Sequence, residues 1–355
     1  MPPPPEASIA LLAALRAALA QQRPAWSDAA LEGLSAKGLA HDHVRLVGTG
    51  ALARIPRQSQ MNLGAQENLA YQNACFERAA ASGHVPRLLG RLGPSSHLPR
   101  GALLVEEIMG RPARLPGDLP AIAQALAALH ALPLPGLRAP LLDAADPLAD
   151  LLREIDGQAS HLAAAAVAPA VQRRIDRQRA GLAVLRGRPE RPPRHLIAFD
   201  AHPGNFVIRG DGRAILVDLE KCRYSHPGLD LAHATLYTST TWDTEAAAVL
   251  SLPQVANFHA AWSAAVGRAA AGAARPWHLP LRRAMWLWSV TWCAKWRVLS
   301  AQAGAPAANG EDWSAARSDA ALVEHVRGRV DHYLGEGVVA WMVDEFDALG
   351  RALGP

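Results

Sequence analysis

Apolar residues recur along this chain in two rhythms, and the change of rhythm divides it. A proline-rich start, MPPPPEAS, leads into SIALLAALRAALA, whose apolar positions fit an unstructured tail followed by a helix. SDAALEGLSAKGL predicts a second helix, with Ser27 as its N-cap and Gly38 near its end. The rhythm then shortens. HVRLVGTGALARIPRQ reads as two strands, His43–Val47 and Ala51–Pro56, around a tight Gly48-Thr49-Gly50 turn. AQENLAYQNACFERAAASG returns to helical period and closes at Gly83, and GALLVEEIMG, Gly101 to Gly110, has the unbroken apolar content of a buried strand.

From Leu119 the helical rhythm dominates. LPAIAQALAALHAL is helical throughout, and DPLADLLREIDGQASHLAAA opens with Asp146 as N-cap and Pro147 at the first helical position. One β-hairpin interrupts this half: Phe206–Arg209 and Arg213–Val217 flank Gly210-Asp211-Gly212, glycines suited to positive φ. Beyond it the chain is helical and rich in tryptophan, with a loop at AQAGAPAANGED, Ala301 to Asp312, and no internal repeat. The pattern predicts an α+β protein. A small sheet-bearing lobe spans residues 1–109 and a large helical lobe spans 110–355, joined near Gly110.

Composition narrows the classes. At 355 residues, half of them apolar and 19% charged, the chain can bury one large or two modest cores. A net charge of +4, without a run of Arg or Lys interleaved with aromatics, argues against a nucleic-acid partner. The basic stretch RGRPERPPR, broken by prolines, reads as a solvated loop. Cys75, Cys222 and Cys293 stand far apart with no CxxC, which fits a reducing compartment rather than a disulfide framework or structural zinc. His41 and His43 flank Asp42 without a third ligand at zinc spacing. The N-terminus has no basic n-region, and no stretch reaches the roughly 18 apolar residues of a membrane span. The expectation is a cytoplasmic protein with no membrane partner.

The chemistry concentrates in IAFDAHPGNFVIRGDGRAILVDLEK, Ile197 to Lys221. Asp200 and Asn205 enter the hairpin and Asp218 leaves it. The two ends of a hairpin are neighbours in space, so Asn205 and Asp218 can face each other. An amide oxygen and a carboxylate there suit Mg²⁺, which takes few protein ligands beside phosphate oxygens. Asp200 would then stand beside the metal, able to accept a proton from an attacking hydroxyl. Alone, Asp200 in DAHPG is also ordinary turn chemistry; the three residues together point to a site.

D-x-x-x-x-N, the hairpin and V-D-L-E together resemble the aminoglycoside phosphotransferase and choline kinase superfamily, relatives of the protein kinases. DAHPGN matches the family's catalytic loop. VDLEKCRYSHPGLDLAH is similar to the choline/ethanolamine kinase continuation, down to Glu220 and Asp230. The likeness runs from about Val44 to Tyr333. It implies a protein-kinase-like fold with a small β-sheet N-lobe and a mainly helical C-lobe. It also implies transfer of the γ-phosphoryl group of ATP or GTP, with Mg²⁺, to a hydroxyl of a small acceptor. By that resemblance Asp200 is catalytic and Asn205 and Asp218 hold the metal. Arg54 holds the nucleotide phosphates, braced by Glu67, and the backbone of Glu106, Glu107 and Ile108 meets adenine. Asp230 caps backbone amides of the catalytic loop, and Glu220 faces either the acceptor or the surroundings of the metal.

Two departures stand out. SAKGLAHDHVRL, where the family's phosphate loop belongs, has a single glycine. The family also writes His two positions before the catalytic Asp, whereas this chain has Ala198. That loss either lowers activity or is compensated by His195 or His202; the rival reading is a pseudokinase that binds nucleotide without turnover. For the acceptor, Trp288, Trp292 and Trp296 recur every four residues, so they form either a core seam or an aromatic box for a cation. Choline kinase-like proteins carry a similar tryptophan helix, which favours the box for Trp288 and Trp292. Asp243 and Glu245 either add negative charge to that pocket or cap a helix starting there. Asp344, Glu345 and Asp347 instead offer an acidic surface to a polycationic aminoglycoside.

Overall fold

The computed structural model describes residues 6–34, 40–243, 247–301 and 320–353. The first lobe is a five-stranded antiparallel sheet between two helices. α1 (Glu6–Gln22) is followed by β1 (Leu31–Leu34), β2 (His41–Leu46), β3 (Ala51–Pro56), α2 (Ala65–Ala79), β4 (Leu88–Leu92) and β5 (Ala102–Glu106). The strand order is β1-β2-β3-β5-β4. Side chains alternate across a strand, so the two faces bury different partners. Ala51, Ala53 and Ile55 of β3 and Ala102 and Leu104 of β5 pack on Leu15, Ala18 and Leu19 of α1. Leu103 and Val105 face the other way, in one core with Leu69 and Phe76 of α2.

The second helix expected over residues 27–38 does not form. Pro24–Trp26 is a 3₁₀ turn, and Leu31–Leu34 pairs with β2 in the register Leu31↔Leu46 to Leu34↔His43. Gly33 weakens a helix by about 1 kcal/mol relative to alanine, and the sheet edge offers this segment hydrogen bonds that outweigh its pattern. Residues 35–39, which include Gly38, lie outside the described residues, as does the proline tail through Pro5. The helix predicted to close at Gly83 is α2 plus a 3₁₀ turn, ended by Gly83 at φ +70°.

The second lobe comprises β6 (Arg111–Pro112), α3 (Leu119–His130), α4 (Pro147–Ala159), α5 (Pro169–Ala183), β7 (His195–Ile197), β8 (Phe206–Ile208), β9 (Ala214–Leu216), β10 (Arg223–Ser225), α6 (Pro227–His233), α7 (Tyr237–Thr240), α8 (Leu252–Val266), α9 (Arg268–Ala274), α10 (His278–Ser300), α11 (Ala320–Tyr333) and α12 (Glu336–Leu353). Asp146 caps α4, accepting a hydrogen bond from Ala149 N at 3.1 Å. α10 runs through the middle, burying Met285, Trp286, Leu287 and Val290 among α4, α5, α6 and α12. The hairpin is β8 and β9, one residue shorter than expected in the first arm and two in the second, and only Gly212 takes positive φ (+84°). β6 pairs with β8, Arg111 opposite Ile208, so the segment leaving the first lobe is stitched to the hairpin. A Cβ at Gly110 would stand 2.5 Å from the Ile208 carbonyl oxygen, so only glycine fits that crossing.

RGRPERPPR is more tied down than a solvated loop: Arg186 pairs with Asp156, Arg191 with Asp146 and Arg194 with Asp143. Among the described residues, α7 ends before Asp243 and the next helix, α8, starts only after the Ser251 cap. Glu245 lies outside the described residues, as does the predicted 301–312 loop beyond Ala301. Among the described residues no helix is long and apolar enough to cross a membrane.

Candidate active site

The segment from Ala198 to Asn205 is fixed from both its backbone and its side chains. β7 pairs with β10, and the loop then turns through Phe199, whose φ of +63° is costly for a residue with a Cβ. Asp230 of α6, wholly buried, holds that turn: the amides of Ala198 and Phe199 donate to its two carboxylate oxygens at 2.7 and 2.8 Å. This is the capping role expected of Asp230. The same carboxylate faces His130 Nε2 at 3.0 Å, and the Trp262 indole N–H donates to His130 Nδ1 at 3.0 Å. The Phe199 ring lies between the Arg223 guanidinium, 3.6 Å from its centre, and the Trp288 ring, edge-on at 5.2 Å.

Asp200 follows this clamped turn. Lys221 Nζ stands 2.8 Å from its Oδ2 and His233 Nδ1 3.7 Å from its Oδ1. Burial alone would raise the Asp200 carboxyl, but Lys221 above all, with the rings of His202 and His233 beside it, outweighs the burial and holds the group well below the usual carboxylate range. Burial pushes His233 itself down to about 4, so at neutral pH an uncharged ring faces an ionised carboxylate. Of the two histidines suggested to replace the imidazole missing at Ala198, His195 is turned away, its Nδ1 bonded to the His130 carbonyl. His202 stays beside Asp200, with its ring 6.0 Å from that of His233. Lys221, His233 and His130 went unrecognised in the sequence. Lys221 carried a signal, since it ends the V-D-L-E-K run.

Asn205 and Asp218 close the hairpin. Val217 N donates to Asn205 O at 2.9 Å, which sets Asn205 opposite the residue preceding Asp218. The Asn205 amide nitrogen donates to the Asp200 carbonyl at 2.9 Å, leaving its Oδ1 as an acceptor. Asp218 Oδ1 receives Arg54 Nη2 at 2.8 Å, while no described group bonds Oδ2. Two hard oxygens at the mouth of one loop fit Mg²⁺, which completes its octahedron with water and phosphate oxygens. Burial would raise Asp218; the charges of Arg54 and His41 lower it on balance.

Arg54 lies where expected, on β3 and buried, but its partners differ from those expected. Nη1 donates to Val217 O at 2.6 Å and Nη2 to Asp218, while its buried Nε has no hydrogen bond. Glu67 does not reach it. Glu67 sits exposed in the first turn of α2 and accepts a bond from Gly64 N, a capping role. The polar residues that α2 buries are Asn68 and Gln72, one turn apart, and Gln72 bonds His41 Nε2 at 3.0 Å. Glu220 is also buried here, beside Asp218 and His41. Burial, with the charge of Asp218, pushes its carboxyl up to about 8.

At the crossing between lobes, the Glu106 amide is bonded to Arg87 O and the Glu107 amide to Gly50 O. Their side chains pair with Arg87 and Arg45. Ile108 N–H alone of the three has no partner among the described residues. SAKGL, where phosphate cover was expected, lies outside the described residues.

Asp243 rests on the loop that carries Asp200 and Asn205, since a Cβ at Gly204 would meet its Oδ2 at 2.7 Å. Trp288 and Trp292 are half-buried; Trp296 is core. Trp288 donates to Glu154 Oε1 at 2.7 Å, and Trp292 packs on Trp242 at 5.8 Å. The acidic surface expected at the C-terminus is partly cancelled: Glu345 is buried in an ion pair with Arg282, and Asp347 pairs with Arg283.

Comparison with known proteins places the chain in a family and a fold. The sequence profile of a family described as "Phosphotransferase enzyme family" matches residues 34–271. Among solved structures, a choline/ethanolamine kinase family protein from Mesorhizobium loti is 18% identical, with a TM-score of 0.61 over 97% of this chain and 99% of that one. An ethanolamine kinase from Plasmodium vivax is 12% identical, with a TM-score of 0.57 over 88% and 85%. The GDP complex of aminoglycoside 2'-phosphotransferase-IIIa is 14% identical, with a TM-score of 0.57 over 90% and 97%. At such identities the likeness is one of fold, the protein-kinase-like fold with its small sheet and large helical lobe. No curated protein matches the sequence significantly.

Proposed function

Because the chain belongs to the phosphotransferase enzyme family, we propose that it transfers the γ-phosphoryl group of ATP or GTP to a hydroxyl of a small molecule. The observation that carries this reading is the meeting of Asp200, Asn205 and Asp218 in one site, with Asp200 tied to Asn205 through its carbonyl and to Lys221 through its carboxylate. Asn205 Oδ1 and Asp218 Oδ2 are the oxygens that would hold Mg²⁺. When bound, the metal would neutralise charge on the phosphate oxygens.

Asp200 accepts the hydrogen bond of the acceptor hydroxyl and points its oxygen at the phosphorus. A carboxylate held so far down is a weak base. Its contribution is therefore orientation first, with the proton passing late, as the new P–O bond forms. Lys221 keeps that carboxylate ionised and in place. Ile108 N–H would receive the purine, with the Glu106 backbone beside it, and Arg54 would neutralise phosphate charge next to Asp218. A cationic group on the acceptor, as in choline, ethanolamine or an aminoglycoside, would meet Asp243 and the open parts of Trp288 and Trp292.

The test is ADP release from Mg–ATP across choline, ethanolamine, several aminoglycosides and simple sugars, with Asp200→Asn as the control. Turnover that disappears in Asp200→Asn, while Mg–ATP still raises the melting temperature of that variant, supports the reading. Thermal stabilisation without turnover on any acceptor would favour a pseudokinase. Absence of both would sink the nucleotide site.

A further inference from the structure

The hydrogen bonds behind the catalytic loop fix the protonation of a residue that touches no substrate. Trp262, His130 and Asp230 are all wholly buried, on α8, α3 and α6. An indole N–H can only donate. At 3.0 Å from Trp262 Nε1, His130 Nδ1 must therefore carry a lone pair. The ring proton is then on Nε2, which donates to Asp230 Oδ2 at 3.0 Å. An imidazolium would set Nδ1–H against the indole N–H in a dry interior, donor against donor. Trp262 thus forbids the charged ring even though a carboxylate lies on its far side.

The consequence falls on Asp230. It faces a neutral donor and keeps its full negative charge for the amides of Ala198 and Phe199, which it binds at 2.7 and 2.8 Å. Those two bonds hold Phe199 at φ +63°, one residue before Asp200. A doubly protonated His130 would share that charge, and an apolar residue there would leave Asp230 short of a donor in a wholly buried site; either loosens the turn. No side chain at Ala198 can brace the loop from within. We propose that His130, locked in its Nε2–H tautomer by Trp262, is a positioning residue that fixes Asp200 from behind the loop. This rests on the reading of Asp200 as the group that meets the acceptor hydroxyl.

Three substitutions separate the tautomer from simple packing. His130→Gln keeps a donor near Nε2, whereas His130→Leu keeps volume without one. Trp262→Phe keeps the ring and removes the N–H. In ¹⁵N-edited spectra of the wild type, His130 should show the Nε2–H tautomer alone, and Trp262→Phe should show a mixture. Hydrogen exchange of the peptide carrying the Ala198 and Phe199 amides should quicken in His130→Leu and stay near wild type in His130→Gln.

With an acceptor in hand, His130→Leu should lower kcat by about 10- to 100-fold, the scale of a lost hydrogen bond to a charged group. KM for Mg–ATP should change little, and His130→Gln should recover most of the rate. A wild-type Nδ1–H tautomer or imidazolium would overturn the proposal, as would unchanged exchange and kcat in folded His130→Leu. If no acceptor is turned over but exchange and tautomer respond as stated, the kinase reading fails while His130 still positions the loop.

Discussion

Glu220→Gln should make this protein more stable at neutral pH, although it removes a charge from a charged site. Glu220 is 5% exposed, and His41 Nδ1 stands 3.6 Å from its carboxyl, beyond hydrogen-bond length. Burial and Asp218 push its carboxyl to about 8, against about 4.3 in an unfolded chain. Between those values the unfolded chain gives up the proton and the folded chain keeps it. Each pH unit therefore favours unfolding by about 1.4 kcal/mol. By pH 7 this one group has cost the wild type about 3 to 4 kcal/mol relative to its protonated form. Glutamine has nearly the same shape and nothing to titrate.

Melting curves of both proteins in metal-free buffer, from about pH 4 to 9, provide the assay; this range brackets both values. The two stabilities should run level below about pH 4.3 and part as pH rises. The variant should come out ahead, by several degrees at pH 7, and the gap should become constant above about pH 8. Curves that stay parallel, or a wild type that gains on the variant with rising pH, would show that Glu220 is ionised in the folded protein and refute the reasoning. Mg²⁺ with nucleotide brings positive charge to Asp218 and should narrow the gap.

Lys221→Met removes the cation at Asp200 and should cost about 2–3 kcal/mol at neutral pH, somewhat below the range for a fully buried pair. Asp200 is depressed in the folded state, so that loss should shrink as pH falls below about 4, where the unfolded carboxyl takes up its proton; a loss constant down to strong acid would mean Lys221 acts by packing alone. Arg54→Met strands Asp218 and should lower stability by about 3–5 kcal/mol and weaken the thermal shift given by Mg–ATP. Arg54→Lys should recover only part, because one ammonium cannot reach both Val217 O and Asp218 as the fork does. Gly204→Ala drives a methyl into Asp243 and His202 and should cost about 1–3 kcal/mol in urea titrations and lower turnover on a cationic acceptor; wild-type values for both would show that Asp243 yields freely.

What the sequence made legible was local. The Asp200, Asn205 and Asp218 spacing survives folding because a hairpin of that length forces its ends together. The strands at β2, β3 and β5 announced themselves by composition. Residues 31–34 were misread because their helical pattern competes with an edge pairing to β2 that no local window contains. Glu67 was a reasonable choice on α2, yet helical phase put Asn68 and Gln72 on the buried face instead. His130 meets Asp230 across 100 residues and Trp262 across 132, and Lys221 reaches back 21 residues to Asp200. Contacts of that span leave no trace in periodicity.

The joint between the lobes is short. Glu107 N is bonded back to Gly50, and Arg111 is already paired with Ile208. Ile108, Met109 and Gly110 are the links between those two fastenings, and Gly110 is pressed against the Ile208 carbonyl. A rotation of one lobe against the other must therefore be absorbed over three residues, the same three that hold the spare Ile108 amide. Any ligand that grips that amide grips the axle: it sets the angle of the jaws as it binds. By reciprocity, whatever changes the angle changes the grip.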